Sequence, residues 1–150
     1  MQGPTMLARA ASSLQSPFLL AVRLYWGWQF AEAGWGHLTH LDKVIAFFAG
    51  LGIPLPGLNA PFIGGLEFAG GILLALGLAS RPVALLLVCD MTVAYITAER
   101  EALLSVFSDP DKFYAAAPYT FLSASLVILI FGAGKFSLDS LVSRLIQARS

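Results

Sequence analysis

The stretch PFLLAVRLYWGWQFAEAGWGHL, residues 17–38, decides the fold, because it is almost wholly apolar and carries only Arg23 and Glu32 as formal charges. A helix rises about 1.5 Å per residue, so this stretch is roughly as long as the ~30 Å hydrocarbon core of a bilayer is thick. The tryptophans and the tyrosine suit the interfacial belt. Ser16-Pro17 reads as a helix start, since proline at the first helical position loses nothing by lacking an N–H. The run leads into tryptophans and has no small-residue cleavage site, so it reads as a retained signal anchor rather than a cleaved leader.

Three further runs have the same character, at about 59–78, 81–98 and 118–134. Each begins within a few residues of a proline. Composition agrees. The 150 residues are 57% hydrophobic and 12% charged, about half the charge of an ordinary soluble domain (roughly 25%). So much apolar surface implies lipid as its surroundings. Nine basic and nine acidic residues cancel, leaving no basic field for nucleic acid. The lone Cys89 has no internal disulfide partner. The expectation is an all-α, integral membrane four-helix bundle forming a single domain over 1–150.

The connections refine this picture. Ala79-Ser80-Arg81 is a tight turn, so the second and third runs form a hairpin. In 39–58, Leu41, Val44, Ile45 and Phe48 fall at helical spacing. That segment is too short to span and predicts an interfacial helix between helices one and two. Gly50, Gly52 and the Pro54-Leu55-Pro56-Gly57 run end it. The connection 99–117 mixes charges with apolar residues and belongs to the same face. After Lys135, Leu138, Leu141, Val142 and Leu145 predict an amphipathic tail helix. With four spans both termini share a side. That side carries Arg9, Arg81, Lys135, Arg144 and Arg149, against Lys43, Arg100 and Lys112 opposite, which predicts cytoplasmic termini.

Ionisable groups within a span are costly and face the bundle interior. Depth along the helices places Arg23 and Asp90 near one level, which predicts an ion pair, with Glu67 in reach through water. Arg23, Glu67 and Asp90 form the expected buried polar cluster, either a register-setting network or a proton or ligand site. Gln29, Glu32 and His37 are secondary polar candidates. Glu32 lies about 180° around the helix from Arg23, so it faces Gln29, another subunit or headgroups. Gly27 and Gly34 on helix one, and Gly64 and Gly71 on helix two, mark close helix packing. His37 and His40 sit at i, i+3, yet no third ligand follows by spacing, so no metal site is expected. No P-loop, GxSxG, HExxH or dinucleotide fingerprint is present, and no catalytic residue is assigned.

The order of Arg23, Gly34-Trp35-Gly36-His37-Leu38, the 47–56 segment, Glu67 with Gly70-Gly71-Ile72-Leu73-Leu74-Ala75-Leu76-Gly77-Leu78, Arg81, and Gly132-Ala133-Gly134-Lys135-Phe136-Ser137-Leu138-Asp139 resembles the DoxX family of small bacterial membrane proteins. The likeness covers about 17–141. His37 stands where the family often has lysine, and the connection after helix three is longer than usual. The resemblance implies a multi-pass protein of the bacterial inner membrane, linked to redox metabolism and quinones. The expected function is a redox-associated subunit that supplies a quinone or proton site, with Glu67 accepting a proton and Arg23 tuning it. The chain has no intrinsic haem, iron–sulfur or flavin ligands, so quinone is the candidate cofactor. The alternative is a non-catalytic accessory or assembly subunit. In either case the partners are the bilayer and other membrane subunits or further copies of the chain.

Overall fold

A computed structural model describes residues 5–148. Arg149, used above for orientation, and residues 1–4 of the leading stretch lie outside them.

The first helix, α1 (Met6–Thr39), has 34 residues, about 51 Å by its rise and longer than a bilayer core needs. It starts well before residue 17. The Thr5 hydroxyl caps it by accepting from the Ala8 amide at 3.3 Å. Pro17 lies inside the helix rather than at its first position. Both Pro17 and Ser13, whose carbonyl it leaves free, are exposed, so water can satisfy the lost bond. At His40 the backbone leaves helical geometry (φ −120°). The chain restarts as α2 (Leu41–Gly50), a 10-residue helix too short to span.

The apolar hairpin follows. In front of α3 (Pro56–Leu76), Leu55 takes a left-handed conformation, and Pro56 opens the helix. Gly77 (φ +69°) ends α3, its amide bonding back to Leu73 and Leu74, a close that glycine adopts without steric cost. Gly77, Leu78 and Ala79 form the turn, two residues earlier than the expected Ala79-Ser80-Arg81, and α4 (Ser80–Thr97) follows. The connection beyond it holds α5 (Arg100–Leu104) and α6 (Pro110–Ala115). The fourth apolar run forms α7 (Pro118–Phe131), 14 residues long. It stops short of residue 134 because Gly132 and Gly134 both adopt positive φ. The tail is α8 (Leu138–Gln147), capped by the Ser137 hydroxyl, which accepts from Ser140 N at 3.2 Å.

Among the described residues there are eight helices and no strand. Helix α1 lies along α3, α4 lies along α7, α3 touches α4, α1 touches α7, and α2 rests on α3. Phe30, Leu74, Val83, Ala84, Leu87, Met91 and Ile128 form the core they share. Two helices, α3 and α4, are long and apolar enough to cross a membrane. Only 33% and 39% of their most apolar windows are buried, whereas the core helix of a soluble protein is mostly enclosed. Away from the other helices, Ile72, Leu76, Leu85 and Ile96 are exposed, an apolar surface suited to lipid.

Candidate functional site

Contact between α1 and α3 sets the geometry. A methyl group added at Gly71 would fall 2.5 Å from the Ala31 amide nitrogen and from the Gly27 carbonyl oxygen. One at Gly34 would fall 2.6 Å from the Gly64 carbonyl oxygen, and one at Gly64 would fall 3.2 Å from His37 Cβ. Missing side chains thus let the backbones touch, and the approach carries His37 onto α3. There His37 Nδ1 and Glu67 Oε2 lie 2.6 Å apart. Glu67 is almost fully enclosed, while His37 keeps part of its ring open.

On the neighbouring α4, Asp90 is 8% exposed and interacts electrostatically with both Glu67 and His37. Its Oδ2 is buried without a hydrogen-bond partner, a costly arrangement that calls for a donor. The three side chains border a partly open cavity of about 710 Å³ between α2, α3 and α4. Val44, Phe47 and Phe48 line it from α2, Phe62, Ile63 and Leu66 from α3, and Cys89, Met91 and Val93 from α4. An apolar chamber of this size with a few convergent polar groups is the ordinary form of a small-molecule site.

Arg23 is elsewhere. It is fully buried, but its Nη2 donates to the carbonyl of Phe136, and the acid that acts on it electrostatically is Asp139. Gly77, at the end of α3, lies against the guanidinium. Glu67 lies ten residues earlier on α3, about 15 Å away along its axis. The expected Arg23–Asp90 pair and the single Arg23–Glu67–Asp90 cluster are therefore corrected to two sites, and Arg23 does not tune Glu67. The physical reason is the register of α1 on α3: Gly27 abuts Gly71 and Ala75, so Arg23, one turn earlier, lies level with the end of α3 at Gly77, where the loop after α7 meets it.

That loop is a latch. The Asp139 carboxylate accepts from the Ala79 amide at 2.7 Å and the Ser80 amide at 2.9 Å, and its own amide donates to the Gly77 carbonyl at 2.9 Å. The Lys135 amide donates to Ser16 Oγ at 3.3 Å. Burial pushes the Asp139 carboxyl up, but the Ser80 and Ala79 amides and the Arg23 charge outweigh it and hold the group below the usual carboxylate range. Arg23 Nε and Nη1 have no hydrogen-bond partner.

The remaining candidates separate. The half-buried Gln29 donates to the Tyr25 hydroxyl at 3.3 Å, and Glu32 is exposed on the far side of α1. His40 lies at the α1–α2 break, where its ring nitrogen Nδ1 meets the Gly36 carbonyl at 3.1 Å rather than joining His37. No group of three or more metal-ligating side chains occurs among the described residues. Three participants escaped sequence reasoning. Phe47 and Phe48 stood out only as interfacial apolar residues, and Asp139 only as the end of a motif. Their roles depend on which helices meet, and spacing along one helix does not carry that.

The architecture is that of a membrane-suited helical protein, and the family comparison agrees. A family model described as DoxX matches residues 18–100, more than half of the chain. The chain belongs to the DoxX family. Membership and the two apolar helices together suggest a membrane-associated protein with a tie to redox metabolism. No curated protein and no solved structure matches the chain significantly.

Proposed function

We propose that this chain is a four-helix integral protein of the bacterial inner membrane, with cytoplasmic termini, that binds a lipophilic quinone or quinol between α2, α3 and α4. One observation carries the reading: the apolar chamber of about 710 Å³ is bordered by the His37–Glu67 pair and by the unpartnered Asp90 oxygen. The four spans are the bilayer part of α1, then α3, α4 and α7. α2 and α8 lie along opposite surfaces.

The donor set fits such a ligand. Glu67 and Asp90 offer acceptors for the hydroxyls of a quinol, and the imidazole of His37 offers a donor for a quinone carbonyl. Phe47 and Phe48 offer an apolar wall for a ring. When bound, the group would supply two-electron, two-proton redox chemistry. Glu67 holds the imidazole in place, Asp90 accepts a hydrogen bond, and the three groups together can take up and pass a proton. The helices exclude water from one side, which strengthens these contacts.

The test is equilibrium binding of a short-chain quinol to the detergent-purified full chain. The wild type should bind saturably, and Asp90→Asn should weaken binding about threefold to tenfold, the usual loss for one hydrogen bond. Glu67→Gln should also weaken it, by freeing His37. Equal binding by all three chains, or none by the wild type, overturns the reading.

Exposed Glu32 favours a second reading, in which the chain serves as an accessory subunit beside other membrane proteins. A pure assembly role would leave quinol binding absent while removal of the chain dissociates its complex.

A further inference from the structure

Glu32 lies on the face of α1 turned away from the rest of the molecule and is exposed. It has neither a hydrogen bond nor an ion pair among the described residues. The α1–α3 contacts give its depth. Gly34 abuts Gly64 and Phe68, and Gly27 abuts Gly71 and Ala75. Interpolation puts Glu32 level with Phe68, near the middle of α3 (Pro56–Leu76). By the helical rise, that is roughly 18 Å from the start of α3 and roughly 12 Å from its end. Trp28 and Trp35, four residues before and three after, share its face and are both exposed. The outer surface of α1 at mid-depth is thus a carboxylate between two indoles.

We propose that this face docks a membrane-spanning helix of a different protein chain, one carrying a lysine or arginine at mid-depth. The inference rests on the membrane reading above and adds the chemistry of the partner. A carboxylate facing hydrocarbon is costly, and such groups usually meet a complementary charge. A second copy of this chain has none to offer. From Arg23 onward the cations of α1 are Arg23, which is fully buried, and His37, which is engaged by Glu67. Helices α3 and α7 carry no basic residue, and Arg81 of α4 sits in the first turn, at the end of the bundle. Two copies meeting through this face would set Glu32 against Glu32. The flanking indoles suit the partner as well, since a cation over a tryptophan face gains a cation–π contact.

The experiment reconstitutes the full chain in phosphatidylcholine vesicles with dansyl-labelled leucine-rich spanning peptides. One peptide carries a single central lysine, one a central glutamate, and one neither. Energy transfer from the chain's tryptophans reads association, and a Trp26→Phe, Trp35→Phe background, with Trp28 the sole indole, is kept for the depth measurement. The lysine peptide should associate about fivefold to tenfold more tightly than the apolar one, in line with polar contacts between spanning helices. Glu32→Gln should abolish that preference, and the glutamate peptide should show none. Equal association of all peptides overturns the inference. So does Glu32-dependent self-association without peptide, which would make a second copy the occupant. Quenching of Trp28 by lipids with deep and shallow nitroxides separates this failure from that of the membrane reading. An indole reached only by shallow or aqueous quenchers sinks both. A deeply quenched indole with no peptide preference sinks the partner alone.

Discussion

Gly65 and Gly71 stand in the same helix, six residues apart, yet a methyl group would meet nothing within 4 Å at Gly65 and backbone atoms 2.5 Å away at Gly71. The Gly71→Ala substitution must push α1 from α3, which costs about 1–3 kcal/mol. It should lower the thermal midpoint in detergent and loosen the His37–Glu67 contact. Gly65→Ala should be neutral or stabilise by up to about 1 kcal/mol, because alanine is the better helix former. Thermal unfolding of the two variants beside the wild type checks the contrast. The glycine stripes were legible in the sequence as a packing face, since small residues recur there at helical spacing. His37 as the partner of Glu67 was not, because the pairing needs the register of α1 on α3, and a repeating stripe allows more than one register.

The latch shows how one element is completed by another. The first amides of α4 point out of the helix with no intrahelical partner. Asp139, sixty residues on from Ala79, satisfies those of Ala79 and Ser80. Because its folded-state value lies below its unfolded value, its contribution is complete above the ordinary carboxylate range, about pH 4. It is lost as pH falls through the lower folded value. Asp139→Asn should therefore cost about 1 kcal/mol at neutral pH, the usual worth of a helix cap. The gap to the wild type should close as unfolding is measured at successively lower pH below about 4. A gap that does not change with pH would assign the effect to shape rather than charge. Among the elements, α2, the hairpin and the tail helix were readable from periodicity and turn residues. The start of α1 was not. Ser16-Pro17 carries a strong start signal, and an exposed proline with solvent beside it does not break the helix.

At the scale of the whole molecule, the register of α1 on α3 decided the chemistry. Counting depth from residue 17 put Arg23 inside the bilayer and forced an acidic partner on it. Because Gly27 packs on Gly71 and Ala75, Arg23 falls at the end of the bundle, and Glu67 and Asp90 are left to border the pocket with His37. The proposed topology sends Ser143 and Asp111 to opposite sides of the membrane. In a Cys89→Ala background, a membrane-impermeant maleimide applied to spheroplasts should label Asp111→Cys strongly and Ser143→Cys only after the cells are opened. The reverse pattern would invert the orientation, and equal labelling of both would reject four spans.

Residues 132–139 also impose an order on biogenesis. They leave the ribosome after every long apolar helix has been made, yet they alone bring the Phe136 carbonyl to Arg23 and the Asp139 carboxylate to the start of α4. Until then the nascent bundle holds an unanswered guanidinium and an uncapped hairpin. A chain ending before residue 132 lacks both contacts and should unfold at a lower temperature in detergent than the full chain.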